Sequence, residues 1–572
     1  MTCRIERWSG HDYFGIAAEV EMCTKRVGAR GYLVSSLSGE LIGAFPLTMR
    51  GRLMCTTLRL PPGRYSYKLV VDYNEAERGE CTIRPPAPLL HAPSPYFVGE
   101  FKDGIEVRAY AVKPPKICDK ATCTFGEELA AMDGYGLYRA FVRSLPYVVD
   151  CCGVKIRVEK FVRFRRPKWA PLVMYEILPD RVKNRFGCRN LRRDFCGGSL
   201  KDVEELLDYI SQIGDAVYLH PIYRAMSYHR YDVLDHKSVD DILGGLKAFE
   251  ELLGEAKRRG LGVVLDVVLH HVGLKSRVFS ERRDLFHLKD PERAEWTLQV
   301  AYNFPRELWP RFFHGDPPYE TFMAVWTMPK IDYSKAEAMA YAESVLAFWA
   351  DKVDGFRFDV AHGIPLAAWR TLVGKYSETH YLLAEHTGDP TAYLGVHHGF
   401  TAYELYGAVL DFFALDKIEA EEFVRRVKLY MARVGPNQLR YMYTFIENHD
   451  TDRFCSVAGR RKRRAVLAYA FIYMMPGTPA VYAGGENCAE GLASDHTNRR
   501  PLDSYKPDLE LASALRTLYL IRRKYPEIAE GPVRHISGRG EYLTLVNTSI
   551  ALSLDRKTGY VEIKTPDGYI EL

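Results

Sequence analysis

The stretch Val353-Asp354-Gly355-Phe356-Arg357-Phe358-Asp359-Val360 decides the fold. Its β-branched and aromatic residues, with no proline among them, read as a buried strand. Side chains alternate along a strand, so Arg357 and Asp359 share one face while Phe356 and Phe358 take the other. A cation fixed two residues before a carboxylate keeps that carboxylate ionised, as a carboxylate nucleophile requires.

Outward from this strand the chain alternates apolar strands with amphipathic helices. Residues 172–178 form a first apolar run, followed by Asp194–Leu200 leading into a helix. Ser199 and Asp202 make a capping-box-like start, and Leu200, Val203, Leu206, Leu207, Ile210 and Ile213 give the helix one apolar face. Further strands read at 216–222, 262–269, 381–385, near 399–404, 441–446 and near 478–482. This alternation argues for an α/β fold, a (β/α)8 TIM barrel with a parallel sheet. Residues 272–335 lack barrel periodicity and form an insertion after strand three, rich in aromatics such as Trp309 and Tyr319. Before the barrel, short strands broken by Gly, Pro and Asn indicate N-terminal β-sandwich modules, and a β domain ends the chain. The expected divisions are 1–88, 89–166 (after the stiff linker Arg84–Pro88), 167–504 and 505–572.

At 572 residues, three or four domains are expected. A hydrophobic fraction of 47% and charged fraction of 26% are those of a soluble globular chain. The net charge of +5, from 78 basic and 73 acidic residues, is spread along the sequence, and Arg460–Arg464 reads as a solvated helix face. No nucleic acid is called for. No apolar run reaches the length of a membrane span, none near the N-terminus suits a signal peptide, and a cytoplasmic location is expected. Of twelve cysteines, eight lie at or before Cys152 and none forms a CxxC pair. Cys151 with Cys152, and Cys188 with Cys196, suit disulfides in a hyperthermophile, and only three Gln point to a thermophile as well. Plain buried thiols are the default expectation.

Three further stretches, Asp266–His271, Leu382–His386 and Phe445–Asp450, together with Gly355–Asp359, resemble in order and separation the strand ends of the α-amylase superfamily of retaining glycoside hydrolases. Tyr175–Arg181 resembles its first strand, and Asp495–Arg500 its segment after strand eight. Met328-Pro329-Lys330-Ile331-Asp332 looks like the marker of the neopullulanase, cyclomaltodextrinase and maltogenic amylase subgroup, with Asp332 where that subgroup usually has Asn. The N-terminal module looks like the starch-binding type found before such barrels, and the resemblance implies a homodimer built through it.

By this resemblance Asp359 is the nucleophile, Glu385 the acid then base, and Asp450 the carboxylate that holds sugar hydroxyls. The chemistry needs two carboxyl groups roughly 5 Å apart. Arg357, His271 and His449 match residues around the catalytic subsite, Tyr231 the stacking tyrosine and His229 its neighbour. Asp495 and Arg499 resemble a pair gripping a more distant glucose. The implied substrates are α-1,4-glucans, namely cyclodextrins and maltooligosaccharides, extending to pullulan or starch. A 4-α-glucanotransferase on the same site is the alternative, followed by a non-catalytic glucan-binding relative. No cofactor is implied. His270 and His220 stand where calcium-dependent relatives keep Asn; calcium prefers oxygen, so no metal is expected. Ala361-His362-Gly363 and His386-Thr387 also depart from the family pattern, on the side where the acceptor enters.

Overall fold

A computed structural model describes residues 2–9, 17–26, 30–35, 41–60, 63–71, 74–83, 90–91, 98–112, 127–132, 135–151, 154–158, 165–387 and 390–572. The first module pairs two four-stranded antiparallel sheets, Thr2–Ser9, Ala17–Thr24, Leu53–Leu60 and Thr48–Arg50 in one, and Leu41–Pro46, Arg30–Ser35, Gly63–Val71 and Asn74–Ile83 in the other. Alternate residues of both (Val20, Met22, Met54, Tyr65, Leu69, Ile83) meet in one core, which makes the pair a sandwich. A five-stranded sheet between Leu90 and Val142 follows. It docks on the barrel helix Ala420–Val434 and on the C-terminal sheet: buried Arg108 donates to Met431 O, and Arg139 Nη1 to Val533 O at 2.7 Å. Asn437 Nδ2, just past that helix, donates to Val98 O at 2.6 Å.

The barrel strands are β1 Met174–Ile177, β2 Ala216–Leu219, β3 Gly262–Val267, β4 Gly355–Phe358, β5 Tyr381–Ala384, β6 Gly399–Phe400, β7 Tyr443–Thr444 and β8 Thr478–Tyr482. All pair in parallel, in the order β6-β5-β4-β3-β2-β1-β8-β7, and a parallel bridge from Thr401 to Tyr443 joins β6 to β7. The helix after β1 has the expected capping box, Ser199 and Asp202 exchanging hydrogen bonds, although it is divided at Leu206. Phe356 and Phe358 face outward into the main core beside Trp369 and Trp349. Expected strands six and seven are longer than those observed. At β6 the chain passes so close to its neighbour that a Cβ on Gly399 would lie 1.9 Å from Tyr441 O, and from Tyr403 it turns into a helix, Tyr403–Val409.

The insertion carries helices Arg277–Glu281 and Pro291–Asn303 around its own core of Phe279, Leu298, Trp309 and Tyr319. Its last turn lays Lys330 against His271 at the end of β3. After the barrel, residues 509–524 form a helix rather than part of a β domain. Arg522 on that helix donates to Met475 O at 2.9 Å and Gly477 O at 2.5 Å, tying it to the barrel. The C-terminal sheet proper is a five-strand antiparallel meander from Val533 to Glu571. Around residues 460–464, Arg460 pairs with Glu490, Arg461 and Arg464 with Asp416, and Lys462 with Asp508. Among the described residues no helix is long and apolar enough to cross a membrane.

The default of buried thiols is corrected. Disulfides join Cys3–Cys81, Cys23–Cys55, Cys188–Cys196 and Cys455–Cys488. Strand register supplies one reason: Cys23 and Cys55 stand directly opposite on paired strands. The expected partner of Cys151, Cys152, lies outside the described residues. Cys455–Cys488 ties the loop after β7 to the loop after β8 across 33 residues. A loop of that length makes removal of the bond, by Cys455→Ser with Cys488→Ser, cost about 4 kcal/mol. Calorimetry should show a thermal midpoint several degrees lower; superimposable transitions would mean the tether does not constrain the unfolded chain.

Candidate active site

Arg357 points from β4 into the barrel, where no solvent screens it. Its Nη1 donates to Asp266 (3.0 Å to Oδ1, 3.1 Å to Oδ2) and to Asp359 Oδ1 at 2.9 Å. Its Nη2 lies 3.1 Å from Glu385 Oε1. Parallel register places Asp266 beside Arg357, and the backbone bonds Asp359 N to Val267 O (3.1 Å) and Glu385 N to Phe358 O (2.9 Å) fix the next residues. Glu385 Oε2 accepts from Val360 N at 2.8 Å, and Val360 turns into the left-handed region, φ +46°, to present it. One guanidinium therefore holds three carboxylates at the ends of adjacent strands. All four side chains are at least nine-tenths buried. With all three carboxylates ionised the cluster would carry a net charge of −2, which burial opposes. Burial pushes the Asp359 carboxyl well up, the charge of Glu385 adds to this, and Arg357 works against it. The guanidinium itself is driven up: burial disfavours its charge, but Asp266 and Glu385 outweigh that.

A second charged network lies beside it. Buried Glu176 of β1 accepts from His449 Nδ1 (2.7 Å), His449 N (3.2 Å) and His220 Nε2 (2.9 Å), while the Tyr443 hydroxyl bonds its other oxygen. His449 Nε2 meets Asp450 Oδ2 at 2.9 Å. Burial disfavours a charged His449, yet Asp450 and Glu176 hold it up to about 9. Asp450 is in turn held well below the carboxylate range by His449, Arg499 and Arg357, which outweigh the partial desolvation of its carboxylate. Its side chain is 40% exposed, so it faces whatever enters the barrel mouth. The Tyr231 hydroxyl joins the two networks, 2.9 Å from Asp266 Oδ2, 3.0 Å from His449 Nε2 and 3.1 Å from His220 Nδ1. Its ring lies nearly parallel to that of His449, centres 5.8 Å apart.

The remaining expected residues divide. His229 accepts from Tyr231 N at 3.2 Å and its ring stacks on Tyr231. Burial, with Arg499 and Arg306 nearby, pushes it well below the ordinary histidine value. His271 stacks on Phe322, meets His270 Nδ1 at 3.1 Å, and is lowered by burial to about 3, hence neutral. Arg499 and Asp495 are not brought together. Arg499 donates to Asp450 Oδ1 and to His449 O, both at 2.7 Å, and Asp495 Oδ1 accepts from Thr497 N and Oγ1. Sequence reading passed over Glu176 and His220 as site residues, and Tyr228, whose ring lies 3.7 Å from the Arg181 guanidinium carbon and whose hydroxyl meets His496 and Arg499. A charged residue inside an apolar barrel strand, as in Met174-Tyr175-Glu176-Ile177, was the available signal.

The residues at the positions of the calcium-binding relatives do not fit that ion. They offer imidazole nitrogens, with His220 bonded to Glu176 and Tyr231, and His270 to His271, in place of an oxygen cage.

Residues 176–505 match the family model of the alpha amylase catalytic domain. A cyclomaltodextrinase of Geobacillus thermopakistaniensis is 28% identical over 442 residues, covering 70% of this chain and 72% of its own length. Neopullulanase 2 of Thermoactinomyces vulgaris is 29% identical over 396 residues, covering 65% of this chain, which spans 66% of the neopullulanase. Among solved structures, a maltogenic amylase from S. marinus superposes with a TM-score of 0.78 at 21% identity, across 97% of this chain and 94% of that one, and so shares the fold. The sequence match coincides with the eight-stranded barrel whose mouth holds the clustered carboxylates, and the chain belongs to the α-amylase family of glycoside hydrolases.

Proposed function

We propose that the protein is a retaining hydrolase of α-1,4-glucosidic bonds in cyclodextrins and maltooligosaccharides, with pullulan and starch as further substrates. One observation carries this reading: Arg357 holds Asp359 and Glu385 together at the ends of neighbouring strands. Asp359 attacks the anomeric carbon and the bond to the leaving oxygen breaks, forming a glycosyl-enzyme intermediate. Glu385, as the general acid, gives a proton to the leaving oxygen. Glu385 then takes a proton from the water that hydrolyses the intermediate. Asp450, kept ionised, accepts hydrogen bonds from sugar hydroxyls and favours the oxocarbenium-like transition state. The exposed face of Tyr231 stacks on the sugar. The named relatives, a cyclomaltodextrinase and a neopullulanase, support the substrate class. A cytoplasmic setting belongs to the same reading; the four disulfides among the described residues are compatible with it in a hyperthermophile.

Products from β-cyclodextrin, pullulan and soluble starch, each incubated separately with the protein, test this directly. β-Cyclodextrin should open faster than starch is cleaved. Asp359→Asn should abolish turnover and Glu385→Gln should lower it by about 10²–10⁴-fold. Longer oligosaccharides formed from short ones would replace hydrolysis with transfer, and no product from any of the three would refute the substrate class.

Arg357→Gln removes the guanidinium shared by three buried carboxylates and should cost about 3–5 kcal/mol at pH 7. Lowering the pH protonates those carboxyls and relieves their repulsion, so the deficit in thermal midpoint should shrink toward pH 4. A deficit independent of pH would assign the loss to packing instead.

We also propose a homodimer assembled through the N-terminal modules. Light scattering should give twice the chain mass for the full protein and the monomer mass for residues 166–572; equal association states would exclude this arrangement.

A further inference from the structure

We propose that Glu176 is a positioning residue of the active site: a buried anion that holds the His449 ring and through it Asp450, and that clamps Tyr231 through His220. The inference rests on the reading of Asp450 as a sugar-binding carboxylate. Glu176 comes from β1, on the far side of the network from the reacting groups, and is fully buried. A carboxylate in such a place must be matched by donors, and here four converge on it: His449 Nδ1, His449 N, His220 Nε2 and the Tyr443 hydroxyl.

The proton inventory of the network fits one arrangement. Both imidazole nitrogens facing Glu176 carry hydrogen, because a carboxylate only accepts. His220, fully buried and lowered to about 4, is neutral, so its other nitrogen is an acceptor facing the Tyr231 hydroxyl at 3.1 Å. His449 carries hydrogen on both nitrogens, one toward Glu176 and one toward Asp450 and Tyr231. The resulting chain alternates in sign, Glu176 anion, His449 cation, Asp450 anion, Arg499 cation. The groups facing His449 are Glu176 from β1, His220 after β2 with ring centres 4.0 Å apart, Tyr231 from the following loop, its neighbour Asp450, and Arg499, which donates to its carbonyl. Glu176 is the one anion among them shut away from substrate and solvent, so it alone keeps the imidazolium in place when a sugar engages Asp450. The same three groups, Glu176, His220 and His449, lie close enough to be taken for metal ligands. However, a nitrogen that donates to Glu176 has no lone pair to offer an ion, and the network is complete without one.

Glu176→Gln keeps the shape and the acceptor oxygen but removes the charge; its amide donates to the Tyr443 oxygen. NMR titration of the full chain labelled with ¹³C-histidine, the His449 signal assigned with His449→Gln, should place the wild-type midpoint near 9. In Glu176→Gln that midpoint should fall by at least a unit, a tenfold or greater loss of proton affinity, and Glu176→Asp should restore part of it. With β-cyclodextrin, the alkaline limb of kcat/KM should move to lower pH by the same amount. A wild-type midpoint below about 7, an unmoved midpoint in Glu176→Gln, or a fall in kcat/KM uniform across pH would each overturn the proposal, as would stoichiometric zinc in the purified protein. The titration reads out whether or not cyclodextrin is a substrate.

Discussion

The site depends on a single cation. Arg357 is enclosed by the barrel, and three carboxylates from β3 and from the ends of β4 and β5 close on it. None of these charges would be tolerated there alone, since removing an ion from water without a partner costs several kcal/mol. Together they are mutually obligatory, and their imbalance of one cation against three acids is what makes the cluster chemical as well as structural. A balanced pair would be inert. Three acids around one cation leave two of them, Asp359 and Glu385, side by side on it, the carboxyl pair that a double displacement needs.

The barrel supplies this cluster by register. Parallel strands bring Asp266 level with Arg357, and the alternation of β4 that turns Arg357 inward turns Phe356 and Phe358 out into the main core. A slip of one residue would exchange the guanidinium for a phenyl ring and leave the acids unpaired. The outward aromatic packing, Phe358 on Trp369 and Phe356 on Tyr376 and His380, and the inward ion cluster therefore enforce the same register from opposite faces of one strand. Gly355 contributes to this fit: a Cβ there would lie 2.7 Å from Tyr381 O.

What could be read from the sequence followed from this two-sided constraint. Strands with strong alternation or long apolar runs, such as 262–267 and 478–482, were legible together with the carboxylates at their ends. The short β6 and β7 were overextended because apolar composition continues past the point where Gly399 meets Tyr441 and where Tyr403 starts a helix. The pairing of Asp495 with Arg499 rests on resemblance, whereas the fold gives Arg499 a nearer acid, Asp450. Disulfides were under-read because the register that sets Cys23 against Cys55 is a property of two strands some thirty residues apart. Glu176 was quoted within a strand and passed over, since only the closed barrel shows that His449, more than 250 positions later, reaches it.

The Tyr231 hydroxyl shows how the two networks are kept distinct while touching. It has one proton and faces a carboxylate, Asp266, and two imidazoles, His220 and His449. With His449 protonated on Nε2, the tyrosine oxygen accepts from it, and its own hydrogen is left for Asp266 or for His220. Either choice keeps the phenol neutral, consistent with burial and the nearby Asp266 pushing its ionisation far up. The ring is thereby held at its hydroxyl end by two charged systems, one around Arg357 and one around His449. A phenylalanine would keep the ring but leave whichever of Asp266 and His220 takes that hydrogen short of a donor, so the tyrosine is required by the charge networks themselves.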